Sequence, residues 1–261
     1  MPRPSTGYLN AAGQKIPGTN DVVGRFKDHT ALMAWAYNQG KAGLPRYERS
    51  ALDIGSAVHK MAELDLLGAS DREIETTLYN YLSAPNHIEM ASTAFRAFRE
   101  WRQQCRVRPL AQEVSIVSEK YQYGGTPDLI AIINNGIGIV DFKTGKGAYP
   151  DMRVALAGHA NLWNEKNPRQ SIDTYHLIVC PKDGGAFQHH AFDSLANEWE
   201  LFKLYREAYR LDKACQKPAP ATPQAATAPA KPRVRVKAHT APSLSMAEIL
   251  RNYGHLPEVR A

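Results

Sequence analysis

The stretch from Glu113 to Lys143 leaves a chain few ways to fold. Val114, Ile116 and Ser118 follow a two-residue spacing, Asp128-Leu129-Ile130-Ala131-Ile132-Ile133 reads as a buried strand, and Asn134-Asn135-Gly136 is a strong hairpin turn. Three antiparallel strands are expected. The turn lies between Asp128 and Asp141, so pairing brings their ends back together, and the two-residue period puts Lys143 on the face of Asp141.

These residue types define a chemistry. Mg²⁺ prefers hard oxygen ligands and keeps several waters, so Asp128, Asp141 and the Phe142 carbonyl make a plausible ligand set that leaves room for a phosphate. A lysine two residues beyond an acid can orient or deprotonate an attacking water and offset charge developing on phosphorus. Lys143 is that candidate.

Gly-Gly-Thr-Pro127-Asp128, followed by Asp141-Phe142-Lys143-Thr-Gly, resembles the PD-(D/E)XK nuclease superfamily, above all its RecB-type and phage exonuclease-like branch. The resemblance covers roughly residues 20 to 210 and lies in the order of the motifs. It implies a restriction-endonuclease-like α/β core, a mixed sheet flanked by helices, with Mg²⁺ or Mn²⁺ as cofactor and DNA as substrate. That branch carries an upstream helical histidine, and Gly55, His59 and Glu63 lie at i, i+4 and i+8 on one helical face. The resemblance makes His59 a further metal ligand or a neighbour of the ligands, and Glu63 a supporting residue. Glu113 matches the acid that opens the first core strand. Where the family commonly has Q-x-x-x-Y on a later helix, this chain has His159 and Trp163, a departure from the pattern in the pair that holds the site and substrate.

Composition bounds the remainder. A chain of 261 residues with a 43% hydrophobic fraction can bury a substantial core. Cys105, Cys180 and Cys215 are too few and too scattered for a disulfide framework or an iron–sulfur cluster, which points to a reduced compartment. No apolar run approaches membrane-spanning length, and the polar, Pro-rich start does not read as a signal peptide; the expected location is the cytoplasm of a bacterium or phage-infected cell.

The net charge of +6 is accounted for by Lys213, Lys217, Lys231, Arg233, Arg235 and Lys237, within an acid-free run from 213 to 240. A DNA groove on the body must then be a local patch. One candidate is the helix from Ile88 to Cys105, where Arg96, Arg99, Arg102 and Arg106 recur at helical spacing opposite Met90, Ala94, Phe95, Phe98 and Trp101. Lys146, just past the lysine motif, is a further candidate DNA contact.

Helices are expected near 29–40, 51–67, 71–82 and 87–105, with capping signals at Ser50/Asp53 and Ser70/Glu73. A helix from Pro150 to about 166, strands near 174–180 and 186–192, and a helix over 194–214 should close a nuclease domain spanning 1–215. Residues 216–242 read as a disordered Pro/Ala/Lys linker, and 243–261 as a short helix for a partner, such as a recombination or single-strand-binding protein. The expected activity is exonucleolytic hydrolysis of DNA in recombination, repair or phage DNA processing. A structure-specific or nicking endonuclease and a catalytically weak DNA-binding or assembly module stay open, as do polarity, processivity and oligomeric state.

Overall fold

The computed structural model describes residues 7–43 and 50–216, together with Pro4. The expected linker and partner helix fall outside these residues, as does the side chain of Ser50.

A small hairpin, β1 (Tyr8–Leu9) and β2 (Lys15–Ile16), leads into α1 (Thr19–Phe26) and α2 (Thr30–Lys41). Three helices follow: α3 (Ser50–Leu66), α4 (Asp71–Tyr81) and α5 (Pro85–Gln104). Ser70 begins α4 with the anticipated reciprocal cap, its hydroxyl accepting from the Glu73 N–H while the Glu73 carboxylate accepts from the Ser70 N–H. Pro85 occupies the first turn of α5, where a missing N–H costs nothing.

The strands are β3 (Arg108–Gln112), β4 (Ile116–Ser118), β5 (Tyr123–Gly125), β6 (Leu129–Ile133) and β7 (Gly136–Lys143). After α6 (Pro150–Lys166) come β8 (Thr174–Val179), β9 (Gln188–Phe192) and α7 (Ala196–Cys215). The main sheet is mixed, in the order β3-β6-β7-β8-β9, with only the β7–β8 pair parallel, joined across α6. Asn134 and Asn135 both have positive φ, at 50° and 69°, as a two-residue hairpin between Ile133 and Gly136 requires.

Helices cover both faces of the sheet, which is why β6 is apolar without interruption. Leu129, Ala131 and Ile133 of β6, with Val140 and Phe142 of β7, join Ile54, Val58, Phe98 and Trp101 from α3 and α5. Ile130 and Ile139 point the other way, to Val22, Leu156, Leu162 and Phe202 from α1, α6 and α7. The result is the α/β layering that the sequence predicts.

The meander differs from expectation at its start. Glu113 does not open a core strand: β3, which pairs with β6, ends at Gln112, and β4 pairs with β5 in a separate two-stranded sheet. Glu113 itself has φ 48°, which no strand residue adopts, so the chain turns there. The β1–β2 hairpin and α1 were not anticipated either, since two-residue strands and one eight-residue helix carry too little periodicity. They are held by contacts to β5, where a Cβ on Gly124 would lie 2.3 Å from the Tyr8 ring, and one on Gly125 would lie 2.6 Å from both His159 and Thr19. Glycine at both positions lets β5 run between the hairpin and α6.

Candidate active site

The register of β6 on β7 builds the centre of the site. Leu129 pairs with Val140, so the residues one step outward, Asp128 and Asp141, stand across from one another at the open end of the two strands. The Phe142 N–H donates to Asp128 Oδ2 at 2.8 Å and pins that carboxylate. Lys143, two residues beyond Asp141, forms an ion pair with Asp141 Oδ2. The α3 helix then brings in His59, whose Nδ1 is 3.5 Å from Asp128 Oδ1. Gly55, one turn earlier on α3, lies against the strand end, where a Cβ would meet the Thr144 hydroxyl at 3.4 Å, an ordinary contact. Glu113 arrives from the end of β3, its N–H donating to the Asp128 carbonyl at 3.2 Å.

One donor atom each from His59, Glu113 and Asp128 lie within 4.8 Å of one another. Two carboxylates and an imidazole form a donor set that suits a divalent ion of hard to borderline character, such as Mn²⁺ or Mg²⁺. The geometry therefore groups Glu113 with the histidine and Asp128, and pairs Asp141 with Lys143.

The electrostatics follow from burying like and unlike charges together. Burial disfavours the charged form of Asp128, yet His59, Lys143 and the Phe142 N–H outweigh it and hold this carboxyl below the usual range. For Asp141 burial wins and raises the pKa, even against Lys143, with Asp128 adding to the rise. Burial opposes the charges on His59 and Lys143 as well, but the aspartates facing them prevail, so both stay more basic than usual. Glu113 is pushed up to about 7, chiefly by burial and then by Asp128. A dense group of titrating side chains in one recess is a mark of functional sites.

Phe142 packs its ring edge-on against Phe98 and Trp101. Glu63 pairs with Lys60 at 2.8 Å. Trp163 is buried, and its indole N–H donates to the Gln170 carbonyl at 2.7 Å, a role in packing α6. His159 is buried on the same helix, and burial pushes it down to about 4, so it is neutral. Arg99 is engaged by Asp65 at 2.8 Å and by Asp71, and Arg102 by the Asp65 carboxylate and carbonyl. Two of the four arginines of the row are thereby paired within the protein, while Arg106 follows the helix with φ 47°. Arg96 lines a groove of about 380 Å³ between α3, α4 and α5. Lys146 is exposed in the loop after β7.

Sequence reasoning missed the wall contributed by the first residues. Tyr8 and the Gly18–Asp21 turn line a cavity together with Glu113, Thr126 and His159. No motif announces these positions; their proximity arises from the glycine contacts of β5.

No protein-family model matches this chain, and no curated protein matches it. Among solved structures it is similar to a "Putative exonuclease" from Eubacterium rectale, at 10% identity over 67% of this chain and 70% of that one, with a TM-score of 0.42. It is also similar to LHK-Exo, solved in complex with dAMP, at 9% identity over 59% of this chain and 86% of that one, with a TM-score of 0.30. Likenesses this distant carry no weight for activity, which has to be read from the site.

Proposed function

We propose that this chain is a divalent-metal-dependent deoxyribonuclease of the PD-(D/E)XK type, acting on DNA ends as an exonuclease. The observation that carries the reading is the convergence of Asp128, Asp141 and Lys143 at one end of the β6–β7 hairpin, with His59 and Glu113 delivered from separate elements. An ordinary exposed D-x-K pair would not have its aspartate buried, nor be faced by a second aspartate and a histidine.

Asp128, Glu113 and His59 are the donors for the ion, with Asp141 and the Phe142 carbonyl beside them as the sequence resemblance implies. When bound, a divalent ion would supply positive charge opposite a phosphate oxygen and favour ionisation of water. The chain's own groups do the rest. Lys143 keeps its proton because Asp141 and Asp128 face it, so its ammonium serves to hold the attacking water by a hydrogen bond and to offset charge growing on the phosphoryl oxygens. Asp141 fixes where that ammonium sits. Phe142, through its N–H, keeps the Asp128 carboxylate turned toward the recess.

Incubation of linear, nicked and covalently closed DNA with Mg²⁺, beside an EDTA control, tests the reading. The expected result is degradation of linear DNA with closed circles spared, and separate 5′ and 3′ end labels then give polarity. Cutting of closed circles would make the same site an endonuclease. Intact DNA in all three forms would leave a binding module.

A further inference from the structure

Strand β3 lies at the edge of the main sheet and carries a bulge. Pro109 stands opposite Ala131 and Gln112 opposite Leu129, while the register skips Leu110. Residues opposite one another across an antiparallel pair share a face, so without the extra residue Gln112 would point away from Pro109. The bulge turns both toward the side where Leu129 and Ala131 join the core beneath α3. It places an amide on an otherwise apolar face.

Pro109, Leu110 and Gln112 form one wall of a cavity of about 460 Å³, and Glu63, Leu66 and Leu67 at the end of α3 form the other. Both walls run into the candidate site. Gln112 precedes Glu113, about 3.8 Å along the chain, and Glu63 lies one turn, about 6 Å, beyond His59. Leu67 is 67% exposed and Leu110 42%, beside a Gln112 Oε1 that is buried and has no hydrogen-bond partner. An acceptor without a donor is costly, and such an atom in a native structure calls for an explanation.

The lining selects which part of a nucleic acid fits. Among the described residues that line the cavity, Glu63 alone is charged; held by Lys60, its carboxylate disfavours a phosphate but accepts from the N–H groups of a base. Glutamine reads base edges with both halves of its amide, and its soft terminal torsion lets it turn either half into the cavity. Leucines make apolar contact with base faces. A base within a duplex has its edge paired and its faces stacked, so the base that enters is an unpaired one. The volume lies in the usual range of ligand sites, roughly 300–1,000 Å³.

We propose that this cavity seats one unpaired nucleobase of the strand being cut, next to the scissile phosphate, with Leu67 and Leu110 against its faces and the Gln112 amide at its edge. The proposal rests on the nuclease reading above and names the part of the substrate that is gripped.

The test is kcat/KM of the full-length chain with Mg²⁺ on linear DNA, single- or double-stranded, whichever it cleaves faster. A single abasic residue is moved one nucleotide at a time past the scissile bond. Wild type is expected to lose about 5- to 100-fold when the missing base is the one the cavity holds, the usual effect of one base contact, and little elsewhere. Gln112→Leu and Leu67→Ser should each lower kcat/KM on intact DNA by about 5- to 10-fold, mainly through KM. On DNA already abasic at that position the same substitutions should cost less than about twofold, because the group they touch is gone. A flat abasic scan in the wild type overturns the proposal, and so does an equal loss on intact and abasic DNA, which would mark a structural effect. If Gln112→Leu does not fold, the exposed Leu67→Ser carries the same comparison. Absence of cleavage by the wild type overturns the nuclease reading and this proposal with it, whereas cleavage with a flat scan removes only the base seat.

Discussion

Lys143 sits where two requirements meet: burial disfavours its charge, and two aspartates demand it. Removing the ammonium leaves Asp128 and Asp141 facing each other, which is the arrangement a cation would normally relieve. Lys143→Ala is therefore expected to lower turnover by about 10²–10³, the usual consequence of losing one aimed electrostatic group. Lys143 is partly exposed while Asp141 is buried, so breaking the pair from one side should cost less than the ~3–5 kcal/mol of a fully buried pair, and the variant should melt earlier in EDTA and regain part of the difference with Mg²⁺. A Lys143→Ala protein with wild-type turnover would remove the lysine from the chemistry. At this scale the sequence was informative, because Asp128, Asp141 and Lys143 are related by a turn and a two-residue period, both local properties. Glu113 was recognised as a candidate but given the wrong backbone: one residue at positive φ cannot be read from side-chain alternation. The engagement of Arg99 and Arg102 depends on Asp65 and Asp71 in elements that precede theirs, which helical spacing alone does not reveal.

Elements hold the site by close approach as much as by apolar burial. Gly124 and Gly125 admit Tyr8 on one side and His159 with Thr19 on the other, at distances no Cβ tolerates. Gly124→Ala should destabilise by about 1–3 kcal/mol in urea unfolding, in the range of overpacking, and Tyr8→Ala in the same chain should recover part of that loss. A Gly124→Ala protein as stable as the wild type would mean that the hairpin is not seated as described. A second pair of elements, β8 and β9, is joined through His176 Nδ1 and His189 Nε2 at 2.9 Å. Burial pushes His176 down to about 4, from an ordinary value of 6.5, with His189 contributing to the fall. The unfolded chain then binds more protons than the folded one between those two values, so stability is lost as the pH drops through that window. The expected loss is roughly 3 kcal/mol by about pH 4. His176→Asn should flatten the pH dependence of the urea midpoint between pH 6.5 and 4; an unchanged slope would show that the histidine titrates normally. The long helices and both sheet faces were legible, with bounds within a few residues, because their apolar periods extend over many positions. The hairpin β1–β2 and α1 were not, since short elements are defined by what they pack against.

On the scale of the whole molecule, the candidate site joins residues of α3 and β7 to the residue just after β3 and the one just before β6, so that its groups span Glu113 to Lys143 in one stretch and reach back to His59. Charge is distributed on the same scale. Beyond Gln216 the sequence carries Lys217, Lys231, Arg233, Arg235 and Lys237 before its first acid, Glu248. Such a segment contacts phosphates without sequence preference, and counterion release makes the contact salt-dependent. Truncation after Gln216 is expected to weaken DNA binding and give a shallower salt slope, with turnover at saturating DNA preserved. Unchanged affinity and slope would assign the tail to another partner. Most direct for the central claim is the initial rate of nucleotide release from end-labelled linear duplex DNA, compared between wild type, Asp128→Asn and Asp141→Asn, each with Mg²⁺ and with EDTA. The site described here predicts Mg²⁺-dependent release by the wild type, none in EDTA, and a drop of about 10²–10³ in either variant while near-ultraviolet circular dichroism stays native. Release that persists in EDTA, or at the wild-type rate in a folded Asp141→Asn protein, would contradict it.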